Sequence, residues 1–575
     1  MQIFLRTLLV IALLAAVVAC QPASDSDGAP APEAASAPAQ EPSKLLDAAA
    51  AAAGVIDEDF LRTHIAAISD DAMGGRAPGT EGDLMARKYL AEQMAAVGLE
   101  PGGVDGTWEQ PFDIMRVEYE VPKGWTFKGP NGEVTLERSE EFVAFPGVQS
   151  DVAAIEGAEL VFVGYGIEAP EYQWDDFKGV DVAGKVLVML NNDPDWDESI
   201  FDGDRRLYYG RWSYKYEQAA KHGAVGAIVH HTRPSAGYGW NVVASSWAGS
   251  QVELPAGDEK RIQVGGWTTE GATGKLMALA GQDWSALVEQ AKTREFTPVP
   301  LGVTTSISLR SSLEKTTTAN VIGRLPGGDP ELADEVVLYG AHHDHLGIGE
   351  ADDSGDKIFN GALDNAAGLS AMLGVAKAFG QLPEKPRRTI LFATWAAEEQ
   401  GLLGSKHFRT FPTVPAGRIA ANINMDGGNI WGKAENVVFI GKGKSTLDAV
   451  VERHAAAQGR TVLADQFPDR GYYYRSDQFN LAKIGVPAVY LNTGTKFVGR
   501  DEGWAKEQIE TWEANLYHQQ GDELEDWWVF DGMIDDARLS FMIGLDVAET
   551  TAMPGWQPGD EFEAARKAAL AALAN

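Results

Sequence analysis

Hydrophobic and polar positions change rhythm several times along the chain, and each change marks an element. LLDAAAAAAGV from Leu45 and FLRTHIAAISDD from Phe60 space their apolar residues three and four apart, which predicts helices. DLMARKYLAEQMAAVGLE from Asp83 does the same and is stopped by the Pro and Gly that follow. The turn-rich MGGRAPGTEG lies before it, and WEQPFDIMRVEYEV from Trp108 begins a sheet. Between 336 and 426 the rhythm disappears into short runs with no strict alternation, VVLYGA from Val336 and TILFATWAA from Thr389, with ANIN from Ala421 read the same way. Strands this apolar are buried on both faces, as in a parallel sheet covered by helices. GYYYRSDQFNLAKIGVPAVYLNTG from Gly471 reads as a polar turn, a helix and another buried strand, and residues 535–575 read as closing helices. The fold class expected is α/β, with a mixed, mostly parallel central sheet flanked by helices.

Residues 140–290 interrupt this series. They hold their own alternation of strand, short helix and strand, in KVLVMLNNDP, KYEQAAKHGAV and GAIVHH. About 150 residues is too long for a structureless loop within a compact domain, so a small inserted α/β domain is expected. The expected plan is 1–19 a leader, 20–44 a tether, 45–139 the first part of the main domain, 140–290 the insertion and 291–575 the second part.

The leader has one Arg, an apolar run LLVIALLAAVV and then Val18-Ala19-Cys20. The run is too short to span a membrane and reads as a signal-peptide core. Cys20 is the only cysteine among 575 residues. Its place after a small residue at the end of that run makes it the expected lipid-attachment site, so a membrane anchor is expected at the N-terminus. Gln21 after it resembles outer-membrane sorting in bacterial lipoproteins. The expected location is the cell envelope, at an outer membrane. Residues 21–44 are rich in Ala, Pro and Ser and cannot bury a core, which suits a tether. With one cysteine no disulfide can form within the chain.

A net charge of −35 argues against nucleic acid as a partner, because phosphate binding needs basic surface. Forty-five per cent apolar residues and 63 glycines fit a globular α/β chain with many turns. The sequence does not fix an oligomeric state.

The apolar runs of 336–426 end in chemistry. VVLYGA is followed by His342 and Asp344, TILFATWAA by Glu398 and Glu399, and ANIN by Asp426. Asp364 sits in the turn NGALDNAAG, ahead of an apolar helix. In open α/β sheets ligands bind beyond the carboxyl ends of strands, so these groups are aimed at one crevice. Several carboxylates and an imidazole in one cleft repel each other unless a divalent cation joins them. Mixed His and carboxylate ligands suit zinc, and a bridging carboxylate would hold a second ion. Other motifs fail: there is no His-Glu-x-x-His, no complete phosphate loop and no Gly-x-Ser-x-Gly.

These segments resemble the co-catalytic di-zinc exopeptidases, the family of bacterial leucyl aminopeptidases, aminopeptidase Y and glutamate carboxypeptidase II. The resemblance runs over nearly all of the chain after residue 45. It implies the zinc-exopeptidase fold, and a protease-associated domain for the insertion, serving as a wall or lid over the cleft. It implies two Zn2+ per chain and peptide substrates. Asp364 would bridge the ions, with His342 and Asp426 completing one site and Glu399 and His518, in NLYHQQGDE, the other. Glu398 would be the general base. Tyr517 would donate to the oxyanion, Asp344 would accept the second N–H of His342, and Arg475 would hold a substrate carboxylate or pair with a carboxylate of the site. The peptide after Asp364 would be cis. Gln478 stands where the family commonly has His, in Arg475-Ser476-Asp477-Gln478. His343, His345 and His454 have no role in this scheme and are expected to be structural or exposed. The function expected is release of N-terminal residues from peptides outside the cytoplasm. A carboxypeptidase or dipeptidase on the same scaffold is the alternative, and a non-catalytic binding protein is the third.

Overall fold

The computed structural model describes residues 44–573 apart from 198 and 248. The expected leader, Cys20 and nearly all of the tether lie outside the described residues. The strand Val336–His342 is central to what is described. It pairs in parallel with Thr389–Trp395 on one side and with Ile419–Asn424 on the other. Ala488–Asn492 adds in parallel to Ile419–Asn424, and Asn436–Ile440 then joins antiparallel. All seven residues of Val336–His342, all seven of Thr389–Trp395 and all six of Ile419–Asn424 are buried, which is why their sequences show no alternation.

The helices Glu58–Ile68, Gly368–Gly380 and Asp531–Glu549 contribute to one apolar cluster with this sheet. Asp57 caps the first of them by accepting from the Phe60 N–H at 2.9 Å. Among the described residues no helix is long and apolar enough to cross a membrane.

A second apolar cluster takes its residues from between Val117 and Leu309. It surrounds the parallel strands Val186–Leu190, Gly226–His231 and Val264–Thr269, with the helices Trp212–Lys221 and Glu270–Ala280 against them. This cluster starts before residue 140 and ends after 290, so the inserted element shares its core with its flanks. The reason is one 27-residue strand, Val299–Leu325. Its first part pairs with Val152–Phe162, its middle with Glu109–Glu120 and its end with Thr389–Trp395. The ribbon makes the insertion continuous with the main sheet, and the described residues pack as one compact unit.

Candidate metal centre

The three central strands deliver His342, Glu398–Glu399 and Asp426 to one rim, as open α/β sheets do. Asp364 comes from the turn Ala362–Ala367, and the Asp364–Asn365 peptide is cis. His518 comes from the segment after the helix Trp504–Asn515, with a positive φ of 59°.

The distances order these side chains into two groups that share Asp364. His342 Nε2 lies 3.0 Å from Asp364 Oδ1 and 3.3 Å from Asp426 Oδ1. His518 Nε2 lies 3.3 Å from Asp364 Oδ2 and 3.0 Å from Glu399 Oε2. Each oxygen of Asp364 therefore faces a different imidazole. Ligands bonded to zinc at ~2.0–2.1 Å in a tetrahedron stand about 3.3 Å apart, the edge of that tetrahedron. All four separations are close to that edge. His518 Nε2 is buried yet has no hydrogen bond of acceptable geometry, despite its two near oxygens. With both imidazoles neutral, Asp364, Glu398, Glu399 and Asp426 carry four negative charges, which two divalent ions would balance. The residues fit the metals.

Glu398 and Glu399 are neighbours with opposite environments. Burial raises both carboxyls. Glu399 is brought down to about 2 by His518 and by His345, whose Nδ1 is 2.7 Å from Oε1. Burial holds Glu398 well above the usual carboxylate range against the pull of His342, and Glu399 and Asp426 add repulsion. Among the described residues its carboxylate accepts no hydrogen bond. One acid is thus engaged by imidazoles, and the other has no side-chain partner among the described residues. Burial lowers His518, but Glu399 and Asp364 push it up to about 10.

Several supports were not legible in the ligand pattern. Asp522 accepts from the Leu363 N–H at 2.9 Å and from the Asp364 N–H at 3.0 Å, so it fixes the turn that carries the shared carboxylate. Ser476 Oγ donates to Asp426 Oδ2 at 2.5 Å and accepts from Asn424 Nδ2 at 2.8 Å. Arg76 is fully buried. Its guanidinium donates to the carbonyls of His343, Ile68, Asn360 and Gly361 at 2.5–3.1 Å, tying together the two loops that follow His342 and precede Asp364. The chain must come very close here. Gly75, at φ 64°, leaves room for the Gly347 carbonyl only because it lacks a Cβ, which would stand 2.4 Å from that oxygen. His345 was expected to be structural or exposed; it is buried and holds Glu399. His343 lies 3.3 Å from Asp83, and His454 lies 2.7 Å from Asp546, both away from the two groups.

Asp344 differs from expectation. His342 Nδ1 lies 3.2 Å from the backbone oxygen of Asp344 and 3.8 Å from its carboxylate. That carboxylate instead accepts from the Glu398 N–H at 2.9 Å and the Glu399 N–H at 3.3 Å. Two converging backbone donors hold it better than one distant imidazole. Asp344 thus orients the Glu-Glu pair. Tyr517 stacks on His518 with ring centroids 3.9 Å apart, and its hydroxyl bonds to no described residue. Arg475 is exposed, lies 5.2 Å over the Tyr472 ring and pairs with no described carboxylate. Gln478 is buried and donates to the Tyr473 carbonyl at 2.7 Å.

The model of Peptidase family M28 matches residues 320–537, the stretch that holds all five candidate ligands and Glu398. Residues 320–537 are thus similar to Peptidase family M28. Among curated relatives the chain is 26% identical to leupeptin-inactivating enzyme 1 of Streptomyces exfoliatus, over 46% of this chain and 55% of that protein. It is 26% identical to a probable leucine aminopeptidase 2 of Aspergillus fumigatus, over 53% of this chain and 54% of that protein. A glutamate carboxypeptidase 2 homolog of Caenorhabditis elegans is 25% identical over 77% of this chain and 60% of its own length. The alignments thus span between 54% and 60% of these relatives. Among solved structures, an aminopeptidase from Aneurinibacillus sp. strain AM-1 aligns with a TM-score of 0.48 at 18% identity, covering 86% of this chain and 95% of that one.

Proposed function

We propose that the M28 domain is a two-zinc exopeptidase and that the chain acts first as an aminopeptidase on peptides. The observation that carries this is the sharing of Asp364 between two imidazole–carboxylate groups at tetrahedral spacing. Zinc ions bound there would supply a Lewis acid for the scissile carbonyl and a water of lowered pKa. Glu398, whose carboxylate accepts no hydrogen bond among the described residues, would take the proton of the attacking water and deliver it to the leaving amine nitrogen. The unpartnered Tyr517 hydroxyl would donate to the carbonyl oxygen as that oxygen gains charge. The similarity to a probable leucine aminopeptidase 2 supports the choice of substrate end.

A carboxylate-directed reading has its own support. Arg475 has no carboxylate partner, and Arg211 of the insertion, also unpaired among the described residues, lies close enough to interact electrostatically with it. Burial first, then Arg475, lowers Arg211 to about 10. Two guanidiniums without a carboxylate ion pair among the described residues suit a substrate carboxylate. One peptide series separates the readings: free at both ends, N-acetylated, and C-amidated. Loss of turnover on acetylation alone supports the aminopeptidase. Loss on amidation alone moves the function to a carboxypeptidase, and loss on both to a dipeptidase. We further propose that the insertion within 140–290 walls the cleft, and that Cys20 anchors the chain to an envelope membrane.

A further inference from the structure

The chain carries a net charge of −35, yet one cleft of about 560 Å3 is lined by five cations and two carboxylates. Lys221 and Lys260 with Glu217 and Glu259 come from the insertion; Lys406, Arg409 and Lys483 come from the M28 domain. The local balance is five minus two, or +3. Lys406 and Arg409 lie on the helix Leu403–Thr410, and Lys483 directly follows the helix Gln478–Ala482.

The protein satisfies only part of this charge. Lys483 Nζ lies 2.8 Å from the Tyr208 hydroxyl and 3.4 Å from Glu217. Lys406 is 4.0 Å from Glu259, and Lys221 pairs with Glu168 outside the cleft. Among the described residues Lys260 and the half-buried Arg409 have no carboxylate partner. Burial, Arg409 and Lys406 together hold the Lys483 ammonium below its usual range, against the pull of Glu217. Like charges gathered this way repel each other. In a chain this acidic, most bulk anions are kept away by the overall field, so a concave, positively charged patch selects an anion that can bring several charges at once. The cleft volume is that of a small-molecule site.

We propose that this cleft binds a compact phosphate-type polyanion of about three charges, gripped jointly by the insertion and the M28 domain. Arg409 would take two phosphate oxygens with its planar fork, and the ammonium groups of Lys260, Lys406 and Lys483 would close around the rest. A peptide carboxylate, with one charge and two oxygens, would leave most of these donors unused. The site is separate from the metal cluster, although one helix serves both: Ser405, beside Lys406, donates to Asp477 at 2.5 Å in the polar layer near His342.

The test is calorimetric titration of the full zinc-loaded chain with inorganic pyrophosphate at low salt, with zinc content measured before and after. The expected result is one-to-one binding that weakens as salt rises. Arg409→Gln with Lys260→Gln should weaken it at least tenfold, while melting temperature and turnover without pyrophosphate stay unchanged, because neither residue has a partner to orphan. Arg409→Glu should abolish it. Absence of binding at millimolar pyrophosphate would overturn the proposal. So would heat that tracks zinc release equally in wild type and variants, since that would be chelation. Binding of triglutamate as tight as that of pyrophosphate would overturn the phosphate assignment.

Discussion

Glu398→Gln is the substitution on which the mechanism turns. The wild-type carboxylate accepts no hydrogen bond from described residues, so the amide replaces it without orphaning a partner, and stability should change by no more than about 0.5 kcal/mol. The backbone N–H of residue 398 keeps its 2.9 Å bond to Asp344, so the loop stays in place. What is lost is a group that can take and return a proton. A positioned acid–base group contributes about 10²–10⁴ in rate, equivalent to ~2.7–5.5 kcal/mol at ~1.36 kcal/mol per decade. Turnover should fall by that factor, with both zinc ions retained and KM little changed. Glu399→Ala is the contrasting variant. Its removal leaves His345 Nδ1 and His518 Nε2 without the oxygens they face at 2.7 and 3.0 Å, so zinc content should fall together with activity. The assay is metal analysis of both purified variants beside steady-state kinetics on a peptide with a free amine. Near-normal turnover in Glu398→Gln would refute its role as base. Zinc lost from Glu398→Gln but kept in Glu399→Ala would mean that the two roles are reversed.

His342, Glu399 and Asp426 were legible because each follows a largely apolar strand, and a polar residue after such a run has few places to go but the rim. Asp364 stands in a turn and His518 after a helix, and only the family resemblance pointed to His518. Their supports were not legible, because they act through backbone atoms that no side-chain pattern records. Arg76 sits in a glycine-rich loop nearly 270 residues before His343, and its bond to that carbonyl leaves no mark on spacing. Asp522 is four residues beyond His518 and holds two N–H groups of a turn over 150 residues earlier. His345 could have been suspected, since HHDH places a third imidazole on the loop after a metal strand. Its partner Glu399 emerges only when neighbouring parallel strands are brought into register. The strands and helices between 140 and 290 were readable as an α/β rhythm. Its limits were not, because the strand Val299–Leu325 looks like a single alternating run while it serves two apolar clusters in turn.

Asp522→Ala removes the acceptor for two buried N–H groups at a cost of about 1–3 kcal/mol each, so zinc affinity and melting temperature should both fall; normal zinc binding would separate Asp522 from the site. Asp176 of the insertion, bonded to the Ile167 N–H at 3.0 Å and the Trp174 indole at 2.9 Å, is pushed up to about 7 by burial. Because its unfolded value is ~3.9, the native state holds a proton that the unfolded chain has lost between about pH 4 and 7, and stability from this group falls as pH rises through that window. Asp176→Asn should flatten that part of the melting-temperature profile, and a profile parallel to wild type would refute the assignment. Arg76→Lys tests whether the loops around His342 and Asp364 are held by one guanidinium. Arginine reaches four carbonyls from three nitrogens in a plane. An ammonium at the end of a different stem cannot match that fork, so at least one or two buried carbonyls lose their donor. Loss of the donors to Asn360 and Gly361 loosens the approach to Asp364, and loss of the donor to His343 loosens the exit from His342. Zinc affinity should therefore drop at temperatures where the variant is still fully folded by circular dichroism. A variant that melts earlier yet binds zinc as tightly as wild type would show that Arg76 serves the fold alone.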